Sequence, residues 1–193
     1  MSRSYTIGVL VPSLSQHFFS TLLSSIQEVM AKEGYQVFVY QTNEDAQQEI
    51  DGMDALIGAR VDGILLSLVQ STDNSEHLRK LIDTGVPTVL FDRVWPGIEA
   101  SSVESDDFQG TYLATTHLIG QGCRQVAHLA GPPQSENSIN RRKGYIKALT
   151  DHGMEVDKQL IYTLESWLSS ARDGIDYLQG VAPDLDGIVF VND

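Results

Sequence analysis

Tyr5-Thr6-Ile7-Gly8-Val9-Leu10-Val11 is an apolar, β-branched run of the kind that forms a buried parallel strand. Phe18, Phe19, Leu22, Leu23, Ile26, Val29 and Met30 then recur at helical spacing up to Gly34, a natural helix terminator. The same alternation continues. Tyr35–Tyr40 reads as a second strand, Glu44–Gly58 as a helix with Ile50, Met53, Leu56 and Ile57 inward, and Gly63–Leu66 as a third strand. Glu76–Thr84 reads as a helix closed by Gly85, Val86–Phe91 as a fourth strand, and Val103–Ser105 as a short extended piece. The rhythm then restarts. Asp107–Gly122 is a helix with Leu113, Ala114, His117 and Leu118 on one side. Gln125–Leu129 is a strand, Asn137–His152 a helix, Leu160–Thr163 a strand, Ser169–Leu178 a helix and Gly187–Val191 a strand. Strands alternating with helices of this length predict an α/β fold of parallel sheets covered on both faces.

Val61-Asp62-Gly63-Ile64-Leu65-Leu66 is echoed by Leu185-Asp186-Gly187-Ile188-Val189-Phe190. Asp-Gly is a common turn before a buried strand, which is one account of the echo. The other is two lobes of like topology, 1–105 and 106–193. Eight strands in a single sheet would be many for a chain of 193 residues, which favours the second account. The chain stops at Val191-Asn192-Asp193 with no covering helix after its last strand, so the second lobe is expected to be incomplete.

Thirteen Lys plus Arg stand against 26 Asp plus Glu, a net charge of −13. Such a surface repels polyanions unless a basic patch is set apart. The densest basic group is Arg141-Arg142-Lys143, so these residues alone are not expected to bind nucleic acid. A single cysteine, Cys123, excludes an internal disulfide and fits a reducing compartment. No run approaches the roughly 20 apolar residues of a membrane helix, and no leader is visible before Tyr5. A cytoplasmic protein is the simplest reading; a mature periplasmic protein is the alternative.

The sequence carries no familiar catalytic motif. No glycine-rich phosphate loop follows a strand, and the turn Pro12-Ser13-Leu14-Ser15-Gln16 has no glycine at all. No nucleophile elbow occurs. His17, His77, His117, His128 and His152 are scattered with no metal-ligand spacing, so no metal or cofactor is expected. His117 and His128 fall among apolar positions and read as core histidines. Asp106-Asp107 reads as the capped start of a helix, where negative charge meets the helix dipole.

In open α/β sheets, ligands bind beyond the carboxyl ends of the strands. That rule selects Ser13, Gln16, Phe18 and Phe19 after the first strand, and Asp92 with Arg93 after the fourth. It selects Arg141 beyond Gly131-Pro132-Pro133, Trp167 before a helix, and Asn192 with Asp193 after the last strand. Aromatic rings, an amide, carboxylates and guanidinium groups suit a polyhydroxylated or heterocyclic small molecule. Each has a plainer role as well. One of Phe18 and Phe19 must face the core, Asp92 could pair with Arg93, Arg141 could be surface charge, and Trp167 could be hydrophobic cover.

Several stretches carry a family resemblance. They are Ile7-Gly8-Val9-Leu10-Val11-Pro12-Ser13 through Phe19, Arg60 through Leu66, Gly85-Val86-Pro87 through Arg93, and Asp106 through Gly110. Ala114-Thr115-Thr116-His117-Leu118 through Gly131-Pro132, Arg141-Arg142-Lys143-Gly144-Tyr145 and Val191-Asn192-Asp193 complete the set. In order and spacing the chain resembles the sensor domain of the lactose-repressor (LacI/GalR) family. The resemblance implies a periplasmic-binding-protein-like fold of two lobes, a homodimer, and a small sugar or nucleoside-like effector in the cleft. It also implies a helix-turn-helix head, outside this sequence, that contacts operator DNA; no membrane partner is expected, since no run is long and apolar enough to span a bilayer. By matching position, Phe18 and Phe19 are ring contacts, Asp92 a hydroxyl-binding carboxylate, Arg141 the effector anchor, Asn192 a cleft amide and Trp167 a stacking aromatic.

Two departures stand out. Asp107 occupies a place where the family usually has Asn, and Leu168-Ser169-Ser170 holds about two extra residues relative to the usual pattern. The expected mechanism is effector-driven lobe closure. A periplasmic sugar-binding protein of a transporter shares the fold. A flavodoxin-like or sugar-modifying enzyme is a reading of another class.

Overall fold

The structure, a computed structural model, describes residues 3–70, 76–95, 97–165 and 171–191. The chain divides into two units, Met1–Glu104 and Ser105–Asp193. In the first unit the elements run β1 (Thr6–Val11), α1 (His17–Lys32), β2 (Gln36–Gln41), α2 (Ala46–Gly58), β3 (Gly63–Leu66), α3 (Glu76–Asp83), β4 (Thr88–Phe91) and β5 (Ser101–Val103). They build a parallel sheet of order β2-β1-β3-β4-β5. Side chains alternate across the pleat. Val9 and Val11 therefore pack with Phe19 and the half-buried Leu22, Leu23 and Ile26 of α1, while Leu10 packs with Met53, Leu56, Leu78 and Leu81 of α2 and α3. Gly8 lets α2 come close, since a Cβ there would lie 2.5 Å from Leu56 Cδ1.

The second unit contains α4 (Asp107–Gly120), β6 (Val126–Ala130), α5 (Glu136–Asp151), a 3-10 turn (Lys158–Leu160), β7 (Ile161–Thr163), α6 (Ala171–Val181) and β8 (Gly187–Phe190). Its parallel sheet has the order β7-β6-β8, repeating the β2-β1-β3 pattern of the first. The sequence echo has a structural cause beyond the turn. Asp62 accepts hydrogen bonds from the backbone N–H groups of Ser4 and Tyr5, both at 2.9 Å, just ahead of β1. Asp186 accepts from the N–H groups of Arg124 (2.8 Å) and Gln125 (2.9 Å), just ahead of β6. In each unit the aspartate before the third strand ties down the entry to the first. The Ser4 N–H, then that of Tyr5, holds the Asp62 carboxyl below the ordinary carboxylate range; Arg124 and Gln125 do the same for Asp186.

Some boundaries and faces differ from expectation. Helix α2 starts at Ala46, because Asp45 accepts from Gln48 N at 2.8 Å and caps it. Glu44 instead stands in the left-handed region at φ 59°. The fifth strand is Ser101–Val103 rather than Val103–Ser105, fixed by its pairing with Val89–Phe91. The expected inward face of α4 is corrected: Leu113 is 55 % exposed, and Ala114 and His117 are exposed too. Thr111 and Thr115 are the buried residues, and Thr115 Oγ1 satisfies itself on the Thr111 carbonyl at 2.8 Å. Small side chains face inward there because α5 lies close against α4 at Gly144.

Candidate functional site

The carboxyl edge of the first sheet is held by two glutamates. Glu49 stands one and two turns ahead of Met53 and Leu56 on the buried stripe of α2, and its side chain is fully buried. It accepts from Val69 N–H at 2.7 Å and from His77 Nε2 at 2.8 Å, so the carboxylate is satisfied where water cannot reach it. Glu44, after β2, accepts from Gln70 N–H at 3.0 Å and takes Arg93 Nη1 on both oxygens at 2.9 Å. Residues 67–70, which follow β3, are thus tied to α2, to α3 and to the end of β4. Sequence reading missed Glu44, Glu49 and His77 as a group. The available signal was an acid on an apolar stripe. Glu49→Leu is expected to cost about 2 kcal/mol, because it leaves the Val69 N–H and the His77 ring without their acceptor. Urea unfolding compared with wild type measures it.

Of the expected ligand residues in this unit, Phe19 is 1 % exposed and packed with Val9, Val11 and Phe91. It is a core residue with no free face. Phe18 is 50 % exposed and meets Phe19 edge-on, with ring centroids 5.1 Å apart. Ser13 is half-buried and shares a 2.8 Å hydrogen bond with Ser15 Oγ. Gln16 is half-buried and begins α1 without a side-chain cap. Asp92 sits in the left-handed region at φ 60°, with its N–H on the Val103 carbonyl at 3.0 Å. A strained residue of this kind persists where its surroundings hold it, and such residues cluster at ligand sites. Its carboxylate is 3.9 Å from Arg93 Nε. Arg93 itself is directed to Glu44, so the expected Asp92–Arg93 pairing is the weaker of the two contacts.

In the second unit, Arg141 projects from α5 at the carboxyl edge of the sheet. Its Nε donates to Asp107 Oδ1 at 2.7 Å, and its Nη1 donates to the Val191 carbonyl just beyond β8. The side chains are 21 % and 9 % exposed. Asp106 caps α4 by accepting from Gln109 N at 2.9 Å, as its place in the sequence suggested. His128 is fully buried. Its Nδ1 lies 3.0 Å from the Val189 carbonyl, and its ring is stacked on Tyr145 with centroids 5.1 Å apart. Burial, reinforced by Arg142 and Arg141, pushes its pKa down to about 4, against the opposing Val189 hydrogen bond. His128 is therefore the core histidine expected, and His117 is not.

Trp167 and Asn192 lie outside the described residues. A hollow of about 420 Å³ beside β7 and α6 is lined by Ile161, Tyr162, Thr163, Leu164, Glu165, Asp173 and Tyr177. None of the described residues selected from sequence lines it. Among the described residues, no group of three His, Cys, Asp or Glu side chains could hold a metal, and no helix is long and apolar enough to cross a membrane.

Comparison with known proteins matches residues 4–193 to the family described as periplasmic binding proteins and sugar binding domain of LacI family. The transcriptional repressor PurR of Glaesserella parasuis is 32 % identical over 164 residues, covering 84 % of this chain and 47 % of that protein. The transcription regulator CcpA of Lactococcus lactis superposes with TM-score 0.83 at 21 % identity, over 97 % of this chain and 68 % of that one, which speaks to the fold. A periplasmic binding protein/LacI transcriptional regulator from Alkaliphilus metalliredigens, complexed with D-xylulofuranose, superposes with TM-score 0.78 at 27 % identity, over 98 % and 68 %. The chain spans about half the length of the curated relatives it matches. With the family pattern running from residue 4 to residue 193 over two parallel-sheet units, the chain belongs to the family of periplasmic binding proteins and LacI-type sugar-binding domains.

Proposed function

We propose that this chain is the effector-sensing part of a LacI-family transcription regulator, and that it binds a small sugar or nucleoside-like molecule without transforming it. The observation that carries the reading is Arg141, part-buried at the carboxyl edge of the second sheet and oriented by Asp107 and Val191. A guanidinium fixed in this way meets hydroxyls at little cost in side-chain ordering. Phe18, exposed at the corresponding edge of the first sheet, offers a ring face, and Asp92, Ser13 and Gln16 offer polar groups. Trp167 and Asn192 belong to the same set by sequence position. In this reading 1–105 and 106–193 are the first lobe and part of the second, and the effector favours one lobe arrangement.

The named relatives are transcription regulators, which favours this reading over a transporter's binding protein. Operator DNA would be contacted by a helix-turn-helix head outside these residues, which fits the net charge of −13. The protein would then be cytoplasmic and homodimeric. Exposed Val29, Phe38 and Val39 on α1 and the edge strand β2 are apolar surface that a second copy would cover.

Calorimetric titration with a panel of pentoses, hexoses and nucleosides tests the proposal. At least one member is expected to bind, and Arg141→Ala is expected to weaken it by about tenfold or more while the protein stays folded. Folded protein that binds no member of the panel would overturn the reading. A signal peptide encoded upstream, in place of a basic helical head, would favour the transporter protein.

A further inference from the structure

We infer that Asp107 sets the effector class by cancelling the charge of Arg141, so that this subsite takes uncharged hydroxyls in preference to a carboxylate or phosphate. The inference rests on the reading of Arg141 as an effector contact. Arg141 is the sole residue selected from the second unit whose surroundings are described in full, and three observations about it converge. Asp107 Oδ1 lies 2.7 Å from Arg141 Nε, and the Asp107 side chain is only 9 % exposed. Ion pairs screened this little by solvent keep much of their field. The Val191 carbonyl engages Nη1, so a second acceptor also faces the guanidinium. Arg141 has no further partner among the described residues, which leaves Nη2 to present its hydrogens in a direction set by the other two nitrogens.

A donor edge backed by a carboxylate is directional and carries little net charge. It suits a hydroxyl oxygen, which needs a donor but brings no charge. An anion placed there would gain from the guanidinium and lose to the Asp107 carboxylate behind it. Arg142 and Lys143 do not restore the positive charge. They occupy the next two positions of α5, which turn away from the Arg141 side of a helix, and both are exposed. Asp107 is thus a positioning and specificity residue.

Matched probes test this on the full chain by calorimetry: D-glucose against D-gluconate, and D-ribose against D-ribose 5-phosphate. Wild type is expected to bind the neutral member of a pair more tightly. Asp107→Asn keeps the shape and removes the charge, and is expected to move the neutral-to-anion affinity ratio about tenfold towards the anion at low salt. Asp106→Asn is the control. Asn caps a helix as well as Asp, so this variant removes one charge next door without touching Arg141. It is expected to leave the ratio within a factor of two. Circular dichroism confirms that each variant is folded. A wild type that prefers the anion, an Asp107→Asn ratio within threefold of wild type, or an equal shift in Asp106→Asn would each overturn the inference while leaving Arg141 as an effector contact. Binding of neither class by any of the proteins overturns the effector reading itself, and this inference with it.

Discussion

Gly144→Ala is expected to destabilise the second unit by about 3 kcal/mol or more, at the upper end of what an inserted methyl costs in a packed interior. A Cβ at this position would lie 2.2 Å from the Phe108 carbonyl oxygen and 3.0 Å from Tyr112 N, both backbone atoms of α4. Backbone cannot turn aside as a rotamer does, so the helices must separate along the face where Thr111 and Thr115 are buried. The better helix propensity of Ala returns only about 1 kcal/mol. Gly174→Ala is the informative comparison. There the nearest atoms are Leu129 Cδ1 at 2.2 Å and the Tyr162 ring at 2.7 Å, side chains that can shift. The expected order in urea unfolding is wild type, then Gly174→Ala, then Gly144→Ala. Because Arg141 on α5 reaches Asp107 at the start of α4, the separation also loosens that ion pair. Effector affinity should fall along with stability. A Gly144→Ala protein within 1 kcal/mol of wild type would show that the two helices slide apart freely.

This same contact explains where reading the sequence succeeded and where it failed. Strands such as Gly63–Leu66 and helices such as α1 announce themselves by a single period of apolar residues, and their places agree with expectation to within a few residues. Helix α4 does not. Its inner face is made of threonines because the neighbouring helix comes too close for leucine, and the distance between two helices is no property of a local window. Glu49 fails for a related reason. A carboxylate belongs in a core only when donors wait for it, and its donors, Val69 and His77, stand 20 and 28 residues away. In the candidate site, the positions of Arg141 and Asp92 beyond their strands were legible from topology alone. Arg141's partner 34 residues distant was not, and that partner changes what the arginine can bind. Phe18 and Phe19 were legible as a pair of which one must be core. Helix phase decides which, and it buries Phe19.

Between pH 6.5 and 4 the second unit is expected to lose about 3 kcal/mol of stability through His128 alone. The Val189 carbonyl takes the Nδ1 hydrogen, and Nε2 has no partner among the described residues. Protonation would place a second N–H where no acceptor waits, in a fully buried ring, within the field of Arg142 and Arg141. Burial is the largest cause, and together these hold the pKa at about 4 against 6.5 for a free imidazole. The sign follows from which state takes the proton. Above pH 6.5 neither form is charged and the stability is complete. As the pH falls, the unfolded chain protonates first and the folded one resists, so the unfolded state gains. Most of the loss has occurred by pH 4, and it is complete below that. A difference of roughly 2.5 units at about 1.4 kcal/mol each sets the size. Carboxylates titrate in the lower part of this window too, so the measurement is a difference. Urea unfolding at pH 7.5, 6.5, 5.5, 4.5 and 4 is compared between wild type and His128→Gln, which cannot titrate. The variant starts less stable, having lost the stack on Tyr145. Its deficit should narrow by about 3 kcal/mol as the pH falls to 4, because only the wild type is being undermined at this site. A deficit that stays constant would mean that the folded protein accepts a proton at His128 as readily as the unfolded chain does, and that a charged ring has found an acceptor inside.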